Sequence, residues 1–394
     1  MFSHRTAWNL TTNRYTQALE QHRLSGREVL DLTASNPTNI GLTYHSDDLL
    51  QALAHHDALT YQPAAKGLLS GRDAIAAYYA ERGSHVAVED LILTASTSEA
   101  YSFVFRLLCD PGDSVLVPTP GYPLCEFLAD LNDIKLVTYE LVYDHGWQID
   151  FESLRNAIRR AETDGAPGRA VLVVHPNNPT GSYVKSQEAT ELTRVCATNK
   201  MAIIADEVFL DYSLCDPPAA TFAINSGALT FTLSGLSKIS GLPQMKIAWI
   251  AASGPENLKR EALARLEVIA DTYLSMSASA QLALPVMLAE RRNIQPQLVA
   301  RIGKNLAELD AELTAQELCH RLFIEGGWYA VLRIPVLGSD EELAIALLDA
   351  ASVLTQPGHF FNFPGEGYII VSLITPSGAF SEGIRRALRY IAGR

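Results

Sequence analysis

Seven short apolar runs recur between residues 91 and 251: LILTA (91–95), DSVLV (113–117), IKLVTYE (134–140), AVLVV (170–174), MAIIA (201–205), LTFTL (229–233) and MKIAWIA (245–251). Runs this short, rich in Val, Ile and Thr and bounded by Pro, Gly, Asp or Ser, predict strands buried on both faces. Helix-like stretches at 99–109 (EAYSFVFRLLC), 151–162 and 185–200 lie between several of them. Such alternation predicts βαβ units winding one mostly parallel, seven-stranded sheet, an α/β fold. Ligands of these sheets sit at the carboxyl ends of the strands. The polar residues that follow each run are therefore the candidates: Ser96, Thr97 and Ser98; Asn177 and Asn178; Asp206; Ser237 and Lys238.

Beyond about residue 253 the pattern changes to long helical stretches, 255–284 and 289–316, with a break expected near Pro285 and Asn293. WYAVLRI (328–334), a helix near 340–350, YIIVSLI (368–374) and a final helix near 379–391 then form an α+β pattern punctuated by Gly326, Gly327 and Pro335. With the turn-rich segment 1–45, this predicts a large domain over 46–285 and a smaller α+β domain built from 1–45 and 286–394. No internal repeat or low-complexity tract appears.

Composition narrows the function classes. The 394 residues are 48% hydrophobic and 19% charged, enough apolar material for a sizeable core and too much for a disordered chain. Lys and Arg total 31 against 44 Asp and Glu, a formal net charge of -13, and the cations form no block, which argues against a nucleic-acid partner. No segment approaches the roughly 18 unbroken apolar residues of a membrane span, and the first residues lack the apolar core of a secretion signal. Cys109, Cys125, Cys196, Cys215 and Cys319 are odd in number, widely spaced and without a CxxC pair. They read as reduced thiols in a cytoplasmic protein, and no metal-ligand spacing accompanies them.

Four segments carry the candidate chemistry: YQPAAKGLLSGR at 61–72, HPNNPTG at 175–181, ADEVF at 205–209 and SGLSK at 234–238. In order and spacing they resemble the fold-type I pyridoxal 5′-phosphate (PLP) enzymes, specifically the class I/II aminotransferases related to aspartate aminotransferase, from about Asp31 to Ser372. The resemblance implies PLP as cofactor, Lys238 as the Schiff-base lysine that also moves the substrate's α-proton, and Asp206 as the carboxylate pairing with the pyridine nitrogen. It further implies Asn178 on the ring's 3′ oxygen and Tyr122 stacked on the ring face. The phosphate falls to Ser96, Thr97, Ser98, Ser237 and Lys246, with Tyr61 reaching the phosphate of a neighbouring subunit in a homodimer. Plainer readings stand beside these: Ser and Thr are ordinary helix caps, Asn-Pro-Gly is an ordinary turn, and a lone aromatic after a strand is often core.

Three positions depart from the family pattern. Lys246 stands where an arginine usually clamps the phosphate, keeping the charge without the bidentate fork. Phe209 replaces a tyrosine that donates to the 3′ oxygen. Ile370 occupies the place of the arginine that grips the substrate's α-carboxylate. Either the substrate carries no α-carboxylate there, or another cation such as Arg333, Arg72 or Lys66 supplies the charge. An arginine restored at 370 is expected to improve reaction with simple α-amino acids if its guanidinium fits. Asn36 is a further substrate-site candidate, and His359, Phe360 and Phe361 are candidates for lining the altered pocket. The leading expectation is an aminotransferase acting on a small-molecule amino donor and a keto acceptor. The alternatives are a C–S β-lyase-like PLP enzyme of the same fold and a non-catalytic PLP-binding regulator.

Overall fold

The computed structural model describes every residue except Pro217, Ser275, Leu337 and Arg394, and all but the side chain of Leu124 within its helix. In chain order its strands are β1 (Leu30–Asp31), β2 (Leu91–Thr94), β3 (Ser114–Thr119), β4 (Lys135–Tyr143), β5 (Trp147–Ile149), β6 (Gly168–Val174), β7 (Ala202–Asp206), β8 (Thr230–Gly235), β9 (Ala248–Ser253), β10 (His320–Arg321), β11 (Tyr329–Arg333), β12 (Val353–Leu354), β13 (Gln356–Pro357) and β14 (Tyr368–Ser372). The large sheet has the order β2-β9-β8-β7-β6-β3-β4-β5. Its five inner strands from β8 to β4 run parallel, while β9 is antiparallel to both β8 and β2. The seven strands read from the sequence are all in this sheet. The eighth, β5, returns antiparallel along Leu141–Tyr143 after a tight turn and is too short to leave a periodic signal.

Register explains where a site forms. Val174 at the end of β6 lies opposite Asp206 at the end of β7, which in turn lies opposite Leu233 near the end of β8. The three following loops, carrying Asn178, Asp206 and Lys238, therefore leave the sheet side by side at its carboxyl edge. Along β7 and β8 the inward run is apolar on both faces, as parallel packing between helix layers demands: Ala205, Ile204, Phe231 and Leu233 are fully buried.

A second, antiparallel sheet has the order β10-β11-β14-β13, and β1 pairs in parallel with β12. Helices 294–313 and 380–391 pack their apolar stripes against it, joined by Phe209 and Tyr212 from the loop after β7. Sequence reading places one helix over 255–284. The structure has two, Glu256–Tyr273 and Ala278–Ala289, with Leu274 at a φ of 68° where the first ends. The separation expected near Pro285 and Asn293 falls between them, at Glu290, where Ala278–Ala289 gives way to Arg291–Thr314, and both named residues lie inside their helices. No described helix is long and apolar enough to cross a membrane.

Candidate active site

A cavity of about 480 Å³ opens at the carboxyl edge of β6, β7 and β8. Gly235 ends β8, and a Cβ there would come within 2.9 Å of both the Ala248 Cβ and the Ile247 carbonyl, so glycine lets the chain turn tightly into the short helix Leu236–Ile239. That turn delivers Lys238 to the cavity. Its Nζ lies 3.4 Å from the Ser35 carbonyl, 4.9 Å from the Trp328 ring centre and 5.5 Å from that of Phe209. Burial pulls the Lys238 amine down to a pKa of about 8, against the opposing pull of the Asp206 charge. The backbone beneath it is pinned twice. Tyr212 donates its hydroxyl to the Lys238 carbonyl at 2.6 Å, and Gln295 donates to the Ile239 carbonyl at 3.0 Å. Gln295 also donates to Asp211 at 2.6 Å, and Asp211 accepts from Tyr78 and Arg82 as well.

Asp206 projects from the end of β7 into the same cavity. One carboxylate oxygen accepts the Val208 N–H at 3.1 Å and the other the Tyr101 hydroxyl at 2.8 Å. Burial raises its pKa, while the Tyr101 bond, the Val208 bond and the Lys238 charge act the other way. Asn178 comes from a turn closed by the Gly181 N–H on the Asn177 carbonyl at 2.8 Å. Gly181 has a φ of 69°, and a Cβ there would meet the Gly326 carbonyl at 2.6 Å, so only glycine suits the position. The Asn178 side chain is 9% exposed, lines the cavity, and its Oδ1 has no hydrogen-bond partner. The side chain thus presents an amide to the cavity with its oxygen free to accept and its NH₂ free to donate.

Thr97 begins the helix Thr97–Leu108 and lines the cavity, as does Ser237. Ser96 is the helix cap, its hydroxyl accepting the Glu99 N–H at 3.1 Å. Free N–H groups at such an end, with two hydroxyls beside them, suit an anion. Tyr122 and Phe209 complete the wall.

The remaining candidates lie elsewhere. Ser98 and Lys246 do not line the cavity, and Lys246 is exposed. Tyr61 is 77% exposed on another face, beside Gln62 and Met276. Asn36 caps the turn Pro37–Asn39, accepting from Thr38. Ile370 is fully buried in the smaller core, opposite Val331 and Gln356. Arg333 stacks on Tyr368 at 4.3 Å and donates to the Glu366 carbonyl. Arg72 is bonded to the Gly67 and Val88 carbonyls, and Lys66 to the Glu89 carbonyl and Glu267. Of His359, Phe360 and Phe361 none lines the cavity; their neighbour Asn362 does, donating to Glu126 at 3.1 Å. Among the described lining residues Lys238 is the single cation.

Sequence reasoning passes over Tyr101, Ser35, Trp328, Tyr329 and Asn362. Tyr101 alone leaves a usable signal, a hydroxyl-bearing aromatic on the apolar face of 99–109 that must find a partner when buried.

The family model described as aminotransferase class I and II matches residues 9–378. The glutamate-pyruvate aminotransferase AlaA of Haemophilus influenzae is 26% identical over 379 residues, covering 93% of this chain and 91% of that protein. AlaA of Escherichia coli is 28% identical over 380 residues with the same shares. The solved alanine aminotransferase of Pyrococcus furiosus has the same fold, with a TM-score of 0.89 at 22% identity and all of both chains covered. With the match running nearly end to end, this chain belongs to the class I and II aminotransferases, transferases that depend on PLP.

Proposed function

We propose that Lys238, Asp206 and Asn178 are the working residues of this aminotransferase, and that it moves an amino group between an amino acid or amine and a keto acid. When bound, PLP supplies an imine-forming aldehyde on a ring that withdraws negative charge from the donor's α-carbon. The residues fit its parts. Asp206 would hold the proton on the ring nitrogen, and the Asn178 NH₂ would donate to the ring oxygen. The helix end at Thr97, with the hydroxyls of Thr97 and Ser237, would take the phosphate, while Ser98 and Lys246 stand outside the cavity wall. Phe209 offers a face to Lys238 but no hydrogen bond to the ring oxygen. Tyr122 would cover the ring.

Lys238 carries the reading, because a free amine is what moving the proton from the donor's α-carbon requires. A pKa of about 8 leaves a substantial fraction of Nζ unprotonated at neutral to mildly alkaline pH.

The division into 46–285 and 1–45 with 286–394 is supported by the buried clusters. Those under the large sheet draw on residues from Leu49 to Leu288, while the others draw on Tyr15–Ile40 and Ile294–Ile391 with Trp147, Phe209 and Tyr212. Leu59 and Tyr61, 89% and 77% exposed on one short segment, support a homodimer whose second copy covers them. Five unpaired cysteines support a cytoplasmic location.

The names of the relatives make alanine and glutamate the first donors to test. Without any acceptor, holoenzyme should release one keto acid per Lys238 site and retain the nitrogen, and Lys238→Ala should release none. Borohydride should fix the cofactor on Lys238. Continuous release of ammonia from a β-substituted donor would mean a lyase, and label on another lysine would overturn the assignment.

A further inference from the structure

Asp206 is a carboxylate on a short side chain whose terminal torsion is intrinsically broad, so something must hold its plane. Two donors do so here, one for each oxygen: the Val208 N–H at 3.1 Å and the Tyr101 hydroxyl at 2.8 Å. The first comes with the backbone after β7. The second comes from another element, the helix Thr97–Leu108, and is a side-chain choice.

Tyr101 is 2% exposed, packs against Phe105 with ring centres 5.8 Å apart, and reaches the cavity wall with its hydroxyl end. Burial, reinforced by the Asp206 charge, raises its phenol well above the ordinary value, so it stays a neutral donor. The Cys125 thiol is its other polar neighbour. Thr97 stands four residues before Tyr101, one helical turn away on the same face, and both line the cavity. A single helix thus offers its N-terminus to an anion and, one turn later, orients the Asp206 carboxylate at the wall of the same cavity.

We propose that Tyr101 is a positioning residue, whose hydroxyl bond to Asp206 holds that carboxylate aimed at the cofactor's ring nitrogen and so sets turnover without touching substrate. This rests on the reading of Asp206 given above. Losing the bond leaves one carboxylate oxygen without its donor and frees the plane to rotate. Hydrogen bonds to charged groups are strong enough that a fall in kcat of about 10-fold or more is expected in Tyr101→Phe. Both KM values should stay within about two-fold, because no substrate contact is removed.

The test uses holoenzyme stripped and reloaded with either PLP or 1-deaza-PLP, in which carbon replaces the ring nitrogen. Cofactor affinity is measured by titration and turnover in parallel, with Tm recorded for each variant. Tyr101→Phe should weaken PLP binding several-fold and slow turnover, while on the deaza cofactor it should match wild type in both. In an Asp206→Asn background, Tyr101→Phe should cost nothing further. An equal loss on both cofactors, or additive losses with Asp206→Asn, would show that Tyr101 only packs, leaving the Asp206 reading intact. If wild type itself binds and uses the two cofactors equally well, the ring-nitrogen role of Asp206 falls, and the role of Tyr101 with it.

Discussion

Glu207, next to Asp206, is 1% exposed and holds its carboxyl at a pKa of about 7, well above the ordinary glutamate value of 4.5. Burial is the main cause. Bonds from the Thr221 hydroxyl and the Phe222 N–H, both at 2.6 Å, and the Arg82 charge oppose it, while the Asp206 charge adds to it. Because the folded pKa is raised, the folded state binds more protons than the unfolded chain between about pH 4.5 and 7. This contribution to stability is fully present below the unfolded pKa and is lost as pH rises through 7. At 1.36 kcal/mol per pH unit, ionised Glu207 costs about 3 kcal/mol at pH 9. Glu207→Gln keeps both partners, since its carbonyl accepts the Phe222 N–H and its NH₂ donates to the Thr221 hydroxyl, yet carries no charge at any pH. The variant should melt about 1 °C above wild type at pH 5 and about 3–4 °C above it at pH 9, using the usual unfolding entropy for a chain this long. Differential scanning calorimetry at pH 5, 6, 7, 8 and 9 measures this. A difference in Tm that stays constant across the series would refute it, because only a titrating carboxylate produces the slope.

Ile370→Arg should lower Tm markedly without raising kcat/KM for alanine, since an unpaired guanidinium in that apolar core costs about 3–5 kcal/mol. Improved use of alanine at unchanged Tm would show that the side chain escapes toward the cavity past Tyr329. For the dimer, mixing Tyr61→Phe with Lys238→Ala should yield hybrids in which one site carries both lesions and the other is intact. Activity recovered on mixing checks this; none in verified hybrids would mean that each site is built from one chain.

The strand ends are legible in the sequence because burial on both faces leaves continuous apolar runs, and the first polar residue after each run marks the sheet's edge. Asn178, Asp206 and Lys238 follow such runs, and the structure brings them to one cavity. Alternation is a weaker guide. It places Arg333 on a strand without saying which face, and in the structure that face leads to Tyr368 rather than to the cavity. Pro285 marks the boundary only to within a turn, since Ala278–Ala289 runs through it and ends before Glu290, and the further break at Leu274 falls on a residue with no breaking signature. Trp328 and Tyr329 are invisible as site residues because a buried strand uses aromatics for packing in any case. Only the fold reveals that Trp328 lies under Lys238.

The charges on the cavity bear on the donor. Lys238 is the one cation among its described lining residues, and Asp206 and Glu126 are carboxylates. Arg333, Arg72 and Lys66 are each committed to carbonyls or acids elsewhere. A donor carboxylate held within one chain would therefore meet hydroxyls, amides and helix N–H groups rather than a guanidinium, and such neutral contacts hold an anion less firmly than a bidentate pair. Orientation of the α-carbon toward Lys238 must then come from the walls, from Tyr122, Phe209 and Tyr329, or from a second copy closing over the exposed segment at Tyr61. If the walls alone do the orienting, matched amines and amino acids should differ little in kcat/KM. A strong preference for the amino acid would instead mean that a cation from outside this cavity wall holds the donor's carboxylate.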